Sequence, residues 1–168
     1  MKVETRIDDK AVMAALNRLS AAGADLTPAM REIAGVLADA AEEAFAQQRD
    51  PTTGDRWADL EESTKKRREK GGHWPGSILQ VTGALARDIE SDYGADFAVV
   101  GTNKPHATTH QHGAKKGEFG AMSIVRTRRV VPLPWGDIPA RPFLGIGAGD
   151  KEDILGILHK HLQRALEG

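Results

Sequence analysis

The feature that most constrains this chain is a periodic apolar run between positions 27 and 49. Met30, Ile33, Leu37, Ala41 and Phe45 recur at spacings of 3, 4, 4 and 4, and Arg31, Asp39, Glu42 and Glu43 fall on the opposite side. That period lays one apolar stripe along a helix, whereas a strand turns its side chains to alternate faces. Thr27-Pro28 supplies the start, with the Thr27 hydroxyl expected as N-cap and proline at the first helical position. The helix is expected to run to about Arg49, because Asp50 precedes Pro51 and is pushed out of the helical region. A helix with one apolar face needs something to bury it against, and the rest of the sequence has to supply that partner.

Composition sets what the partner is made of. With 4 Phe, 3 Trp and 1 Tyr among 168 residues, the core is expected to be mostly aliphatic and alanine-based. A chain this long favours one domain, here 1–168, and can bury roughly two-thirds of its unfolded surface without cross-links. The 18 glycines favour turns and loops. The absence of cysteine excludes disulfides, thiol catalysis and cysteine-based zinc sites. No apolar run is long enough to span a membrane, and the first ten residues alternate polar and apolar instead of forming a signal peptide. Neither a membrane nor a secretory address is expected.

The charges nearly cancel, 23 basic against 24 acidic. They divide into 6 and 9 over residues 1–50, 14 and 11 over 51–141, and 3 and 4 over 142–168. A mildly basic middle between mildly acidic ends is too weak for a dedicated nucleic-acid binder. It suits copies or partners that meet through complementary patches.

Around the long helix the remaining elements follow from shorter signals. Val3, Thr5 and Ile7 alternate as a strand. Asp8 or Asp9 can cap a helix carrying Val12, Leu16 and Leu19, with Gly23 as its stop. Residues 50–59 are turn chemistry around Trp57. Leu60 to Lys70 is a short charged helix or helical turn closed by Gly71-Gly72, and 77–83 is a brief apolar segment. Leu85–Ser91 and Phe97–Gly101 read as a hairpin turning at 93–96. Pro105–Gly113 is a short helix or turn. The stretch 114–137 is glycine-rich, then strand-like from Met122 to Val131. Asp150 is the expected N-cap of a last helix whose Leu155, Leu158, Leu162 and Leu166 form its apolar stripe. Segregated helices and antiparallel strands define an α+β fold. We expect a small antiparallel sheet packed by the long helix and the C-terminal helix, with a loop or hairpin protruding around 114–137.

Few residues form a constellation that points to catalysis. His106, His110 and His112 include a pair four apart that could ligate zinc, but no glutamate lies between them as in the helical zinc-protease motif. Surface or helix-terminal histidines are the ordinary explanation, and a metal-dependent hydrolase is the alternative. Ser77 and Thr82 lack the flanking glycines of a nucleophile elbow. Gly71-Gly72 and Gly145, Gly147 and Gly149 lack the lysine-serine pair of a phosphate loop. Carboxylates at 150–153 suit the positive end of a helix dipole. Basic runs at Lys65, Lys66, Arg67, Arg68 and Lys70, and at Arg126, Arg128 and Arg129, could contact phosphates. With Glu61, Glu62 and Glu69 interleaved, the first is better explained as a solvated helix face. No catalytic residue, metal ligand or cofactor is assigned. The most unusual segment is 138–145, IPARPFLG, where two prolines bracket Arg141 and Phe143 and Leu144 follow. Proline-fixed backbone loses little entropy on ordering, so this segment reads as a positioning device.

Taken together, these pieces resemble the phage virion morphogenesis family, the tail-completion proteins of the Mu and P2 type. The likeness spans almost the whole chain and runs in order. A long helix ending in Phe45 is followed by Gly54-Asp55-Arg56-Trp57-Ala58-Asp59-Leu60, then Ile78-Leu79 with Thr82-Gly83-Ala84-Leu85. Next come Val99-Val100-Gly101-Thr102-Asn103, the turn His110-Gln111-His112-Gly113, and Ile138-Pro139-Ala140-Arg141-Pro142-Phe143-Leu144-Gly145. His106 departs from the family, which usually has tyrosine before the alanine, and 114–137 is longer than the pattern.

The resemblance implies a non-enzymatic structural protein of a phage or prophage, acting in tail completion or head–tail joining, and without a cofactor. Its motif or interface residues would be Gly54, Trp57, Leu60, Leu79, Gly83, Leu85, Gly101, His110, Gln111, Gly113, Pro139, Arg141, Pro142 and Phe143. It implies a ring of identical subunits, a hexamer by similarity, that meets connector or neck, tail-terminator and tail-tube proteins. Neither membrane nor nucleic acid is an expected partner. Such a protein would sit in the host bacterial cytoplasm during assembly and then in the virion, at the head–tail junction or the head-proximal end of the tail.

Overall fold

The computed structural model describes residues 25–124 and 129–167, together with isolated helical positions between 14 and 23. The expected strand at 3–7, its Asp8 or Asp9 cap and the stripe residues Val12, Leu16 and Leu19 lie outside the described residues, as do Arg126 and Arg128. Gly23, expected as a helix stop, is itself still helical.

The long helix, α1, spans Thr27–Gln47. Ile33, Leu37, Ala41 and Phe45 are buried as the period requires, Met30 is half-buried, and Ala29, Ala34, Ala40 and Ala44 complete the packed side. Its start differs from expectation. Thr27 is already helical, and Asp25 Oδ1 accepts the Thr27 N–H at 3.0 Å. Hydrogen bonds from the Thr27 hydroxyl and amide hold the Asp25 carboxyl below its usual range. A carboxylate at the positive end of a helix satisfies a free amide better than a hydroxyl does. Its end also comes early. Gln48 adopts a left-handed conformation, φ 54°, and its N–H bonds the Ala44 carbonyl. Chain reversal there returns the backbone to Trp57, whose N–H bonds Gln48 O at 2.9 Å.

A charged helix, α2, covers Glu62–Lys70 and buries nothing; Gly71 follows it. Segment 77–83 is irregular and drops Ile78 into the core. Leu85, expected in a strand, is instead buried just before a single 3-10 turn at Ala86–Asp88. Gly83, at φ 67°, permits the sharp turn, and the Arg87 guanidinium closes it on the Thr82 carbonyl at 2.6 Å. Strand pairing therefore starts only at β1, Glu90–Tyr93, which pairs antiparallel with β2, Ala98–Gly101, in the register Glu90↔Gly101 to Tyr93↔Ala98. The hairpin packs on α1, to which the Leu26 N–H ties its turn through Ala95 O at 2.9 Å. Asp88 locks the far end of the hairpin, accepting from Thr102 Oγ1 and pairing with Lys104 Nζ, each at 2.8 Å.

Helix α3, Ala107–His112, ends at Gly113. The strand-like run 122–131 is not one strand. It contributes to a second hairpin, β3 (Ala121–Ile124) against β4 (Arg129–Pro132), with Met122↔Val131 and Ser123↔Val130 opposed. A single strand of that length would need a partner along all its amides, and folding back supplies one. The last helix, α4, spans Ala148–Glu167 and packs on α1. Asp150 is not its N-cap. It sits in the first turn and reaches back to the Gly147 N–H at 2.8 Å, as the acid of a capping box does. The leucine stripe is also misassigned: Leu155 is 66% exposed, and Leu162 and Leu166 are exposed too. The covered side carries Ile154, Ile157, Leu158 and His161. Glu32 of α1 fixes that orientation by bonding His161 Nε2 at 2.8 Å and Lys160 Nζ at 3.1 Å, contacts that hold its carboxyl below the ordinary range. The Arg18 guanidinium caps the other end of α4 on the carbonyls of Ala165 and Leu166.

The fold class is α+β, and among the described residues antiparallel pairing is divided into two two-stranded sheets. Among the described residues no helix is long and apolar enough to cross a membrane. The core gathers Phe45 from α1, Trp57, Ile78, Leu85, Ala107 from α3, and Phe143. Phe45 meets Trp57 edge-on at 5.6 Å between ring centroids and lies tilted against Phe143 at 5.2 Å. Phe143→Ala leaves a cavity between three segments that cannot all collapse inward. It is expected to cost about 3–5 kcal/mol, read from the urea midpoint of unfolding followed by circular dichroism.

Candidate functional site

Segment 138–145 is the keystone around which four stretches of chain assemble. Its residues bond outward instead of to one another. Ile138 forms an isolated bridge with Ala114 just beyond α3. The Arg141 N–H donates to the His110 carbonyl at 2.7 Å. Pro142, lacking an N–H, contributes its carbonyl to Trp57 Nε1 at 2.7 Å. Phe143 and Leu144 donate their amides to Gln111 Oε1 at 3.0 and 3.1 Å, and Gln111 Nε2 returns a bond to the Leu144 carbonyl at 2.7 Å. Gln111 thus pairs with a backbone segment as a neighbouring strand would.

Arg141 is 5% exposed, the one charged residue buried in the core among the described residues. Its guanidinium donates to two carbonyls in the Trp57 loop, Nε to Ala58 O at 2.8 Å and Nη2 to Asp59 O at 2.9 Å. Burial lowers its pKa; the Asp59 charge opposes that and the Arg68 charge adds to it, and the group stays charged. Asp59 is a hub. Its carboxylate takes Lys65 Nζ at 2.7 Å and the Leu60 N–H at 2.7 Å, and the Lys65 bond comes first in holding its carboxyl low. The same residue therefore ties Arg141 to α2 through its carbonyl and its side chain together. Lys65 also lies 5.8 Å from the Trp74 ring centre.

Nine of the motif residues converge here or on the adjoining core: Trp57, Leu60, Leu79, Leu85, His110, Gln111, Arg141, Pro142 and Phe143. Gly113 joins them for a steric reason. At φ 76°, a Cβ there would stand 2.8 Å from Ile138 O and 2.9 Å from Ala140 N. Four residues lie apart. Gly54 turns the tip of the 50–55 loop at φ 77°, Gly83 sets the bend before Leu85, Gly101 ends β2, and Pro139 is exposed. Two residues without a sequence signal belong to the framework. Gln48 Oε1 accepts the Ile78 N–H at 2.7 Å, and Gln80 Nε2 donates to Phe45 O at 2.7 Å. The left-handed backbone of Gln48 and the positive φ of Leu79 hold that crossing.

The three histidines do not converge on one point. His106 and His110 stack edge to face at 5.7 Å, while His112 is exposed. Among the described residues no group of three or more His, Asp or Glu is placed to hold a metal ion. His110 Nδ1 is buried without a hydrogen-bond partner. Burial, then the nearby His106 and Arg141 charges, pushes the His110 pKa down to about 4. Of the basic runs, the residues of α2 are mostly solvated, and Arg129 stands exposed on β4.

The geometry is that of an α+β scaffold whose polar interior is spent on fixing loops to one another. The chain belongs to the phage virion morphogenesis family, whose model matches residues 7–163. It is 32% identical over 166 residues to the "putative capsid assembly protein G" of Escherichia phage Mu, covering 99% of this chain and 97% of the relative. It is also 32% identical to the Mu-like prophage FluMu G protein 1 of Haemophilus influenzae, over 96% of each. To FluMu G protein 2 of the same bacterium it is 36% identical over 152 residues, 90% of this chain and 89% of the relative. No solved structure matches. The protein therefore has a role in phage morphogenesis.

Two outcomes test this framework. Arg141→Met removes both donors and leaves the partly buried Ala58 and Asp59 carbonyls without their partner, at a cost of about 2–4 kcal/mol. Arg141→Lys keeps the charge but not the fork, and should recover less than half of that in the same urea titration. The second concerns pH. His110 has a folded pKa near 4 against 6.5 for the free group, so the unfolded chain binds its proton more readily. Its contribution is intact above pH 6.5 and is lost as pH falls toward about 4. Unfolding free energy should decline through that window, and His110→Asn should flatten the decline.

Proposed function

We propose that this protein is a structural part of the virion that completes the tail or joins tail to head, working as a ring of identical subunits without making or breaking bonds. The observation that supports it most is a contrast within the molecule. The centre is fixed by Arg141, Gln111 and the Phe45–Trp57–Phe143 cluster, whereas large apolar side chains of both hairpins and of α4 face outward. Monomers seldom leave so many such side chains uncovered unless another surface meets them. A ring repeats one heterologous contact, which needs two different patches on each subunit. Its partners would be further copies of itself and the connector, neck, tail-terminator or tail-tube proteins at the head-proximal tail end. Assembly would take place in the host cytoplasm, before the part is retained in the particle.

The name of the phage Mu relative, a capsid assembly protein, favours a second placement on the head side. Electron microscopy of a phage that lacks this chain separates the two. Full heads beside finished but unattached tails are expected from the proposal. Missing or misshapen heads would favour the head-side reading, and normal infectious particles would end both.

A further inference from the structure

The two hairpins differ in a way that makes each a fit for the other. Opposed residues of an antiparallel pair share a face, so Met122, Ile124, Val131 and Arg129 lie on one face of β3–β4. That face is apolar with one cation. Met122 is 51% exposed, and Val130, on the other face, is 71% exposed. Beyond each other, β3 and β4 have no substantial packing partner among the described elements. A two-stranded hairpin wet on both sides is marginal in water. Hairpin β1–β2 is different, because α1 covers one of its faces, where Ala98 and Val100 are half-buried. The uncovered face carries Glu90, Asp92, Val99 and Gly101 by the same pairing rule. Val99 is 50% exposed, and a Cβ built on Gly101 meets nothing within 4 Å. These residues, with Thr102 and Asn103, line a shallow depression.

We propose that the β3–β4 hairpin of one subunit docks on the uncovered face of β1–β2 of the next copy. Met122 and Ile124 cover Val99 and fill the dent at Gly101, and Arg129 meets Glu90 and Asp92. The occupant is a second copy of this chain because the apolar and charged halves match within one sequence. Acid stands beside an exposed valine on one hairpin and base beside exposed apolar residues on the other. The contact is heterologous, so it propagates from subunit to subunit and closes if the rotation allows. It rests on the reading of the protein as a ring, and supplies that ring's interface.

The chain has no cysteine, which permits a clean crosslinking test with the full-length protein. Val99→Cys combined with Met122→Cys should give, under mild oxidation, a ladder extending beyond dimer. A control pair, Leu155→Cys with Val99→Cys, should give no such ladder. In sedimentation velocity, Arg129→Glu and the double variant Glu90→Lys with Asp92→Lys should each weaken self-association by about tenfold. An equal mixture of the two should regain it, because each supplies the surface the other lacks. A Val99/Met122 pair that stays uncrosslinked overturns the proposal, as does a control ladder of equal strength or a mixture no better than its components. The role and the contact fail separately. A chain that forms the crosslinked ring but is absent from virions removes the role and leaves the contact. Self-association left unchanged by Arg129→Glu, in a chain that still completes tails, removes the contact and leaves the role.

Discussion

The buried guanidinium of Arg141 sets the terms for the rest of the structure. Taking a cation out of water costs several kcal/mol unless its donors are met. Here they are met by carbonyls, Ala58 and Asp59, that belong to a loop with no regular pairing of its own. The cation satisfies the loop and the loop satisfies the cation. Each arrangement therefore stabilises the other. The Trp57 Nε1 bond to Pro142 and the aromatic contact of Phe143 with Phe45 extend the same junction to α1. The two prolines reduce the entropy that ordering this segment would otherwise cost.

A small fold with short strands has a general difficulty, which this one meets with amides. Buried backbone groups need partners, and ladders are scarce where the sheets among the described residues have two strands each. Gln48, Gln80 and Gln111 stand in for missing strands, because a carboxamide offers donor and acceptor in the same geometry as a peptide group. Gln111 satisfies three backbone groups of 143–144, and Gln48 and Gln80 lace the end of α1 to the 77–83 segment. Replacing Gln80 or Gln111 with glutamate would lose the donor that meets the Phe45 or Leu144 carbonyl, so those two positions are not tolerant of charge.

How much of this the sequence discloses depends on the kind of signal each element leaves. Helix α1 is legible because burial on one side writes a period, and the α+β class follows from how the periods are distributed. Helix α4 is legible as a helix, yet Leu155, Leu162 and Leu166 lie outward while Leu158 is half-buried, because a period reports a face without reporting what covers it. Leu85 resembles a strand residue in isolation and is buried at a turn instead, since Gly83 bends the chain before a ladder can begin. At the candidate site, Trp57 and Phe143 are conspicuous by residue type, and Arg141 by its place between Pro139 and Pro142. Their partners are not, because Ala58 O, Asp59 O and His110 O are main-chain acceptors that any residue supplies. Gln48 and Gln80 are silent for a related reason. A glutamine on a surface and one replacing a strand look alike until the chain is folded.

That division also bears on what an assembly part has to be. Contacts that recur around a particle must present the same geometry every time, and precision of that kind comes from a centre that does not yield. Here the fixed side chains lie where the loops cross, and two of the elements that carry uncovered apolar residues are held at their bases: β1–β2 against α1, and α4 by Glu32 and by Arg18. Among the described residues, hairpin β3–β4 is joined to the centre through the Ala114–Ile138 bridge, the bonds of Lys115 and Lys116 to Asp137 and the short links near Gly117 and Leu133. An element on such a tether can adjust its approach without disturbing the junction at Arg141. Affinity carried on an adjustable arm and geometry carried on a rigid seat are complementary, since the arm can lose its freedom on contact while the seat has little left to lose.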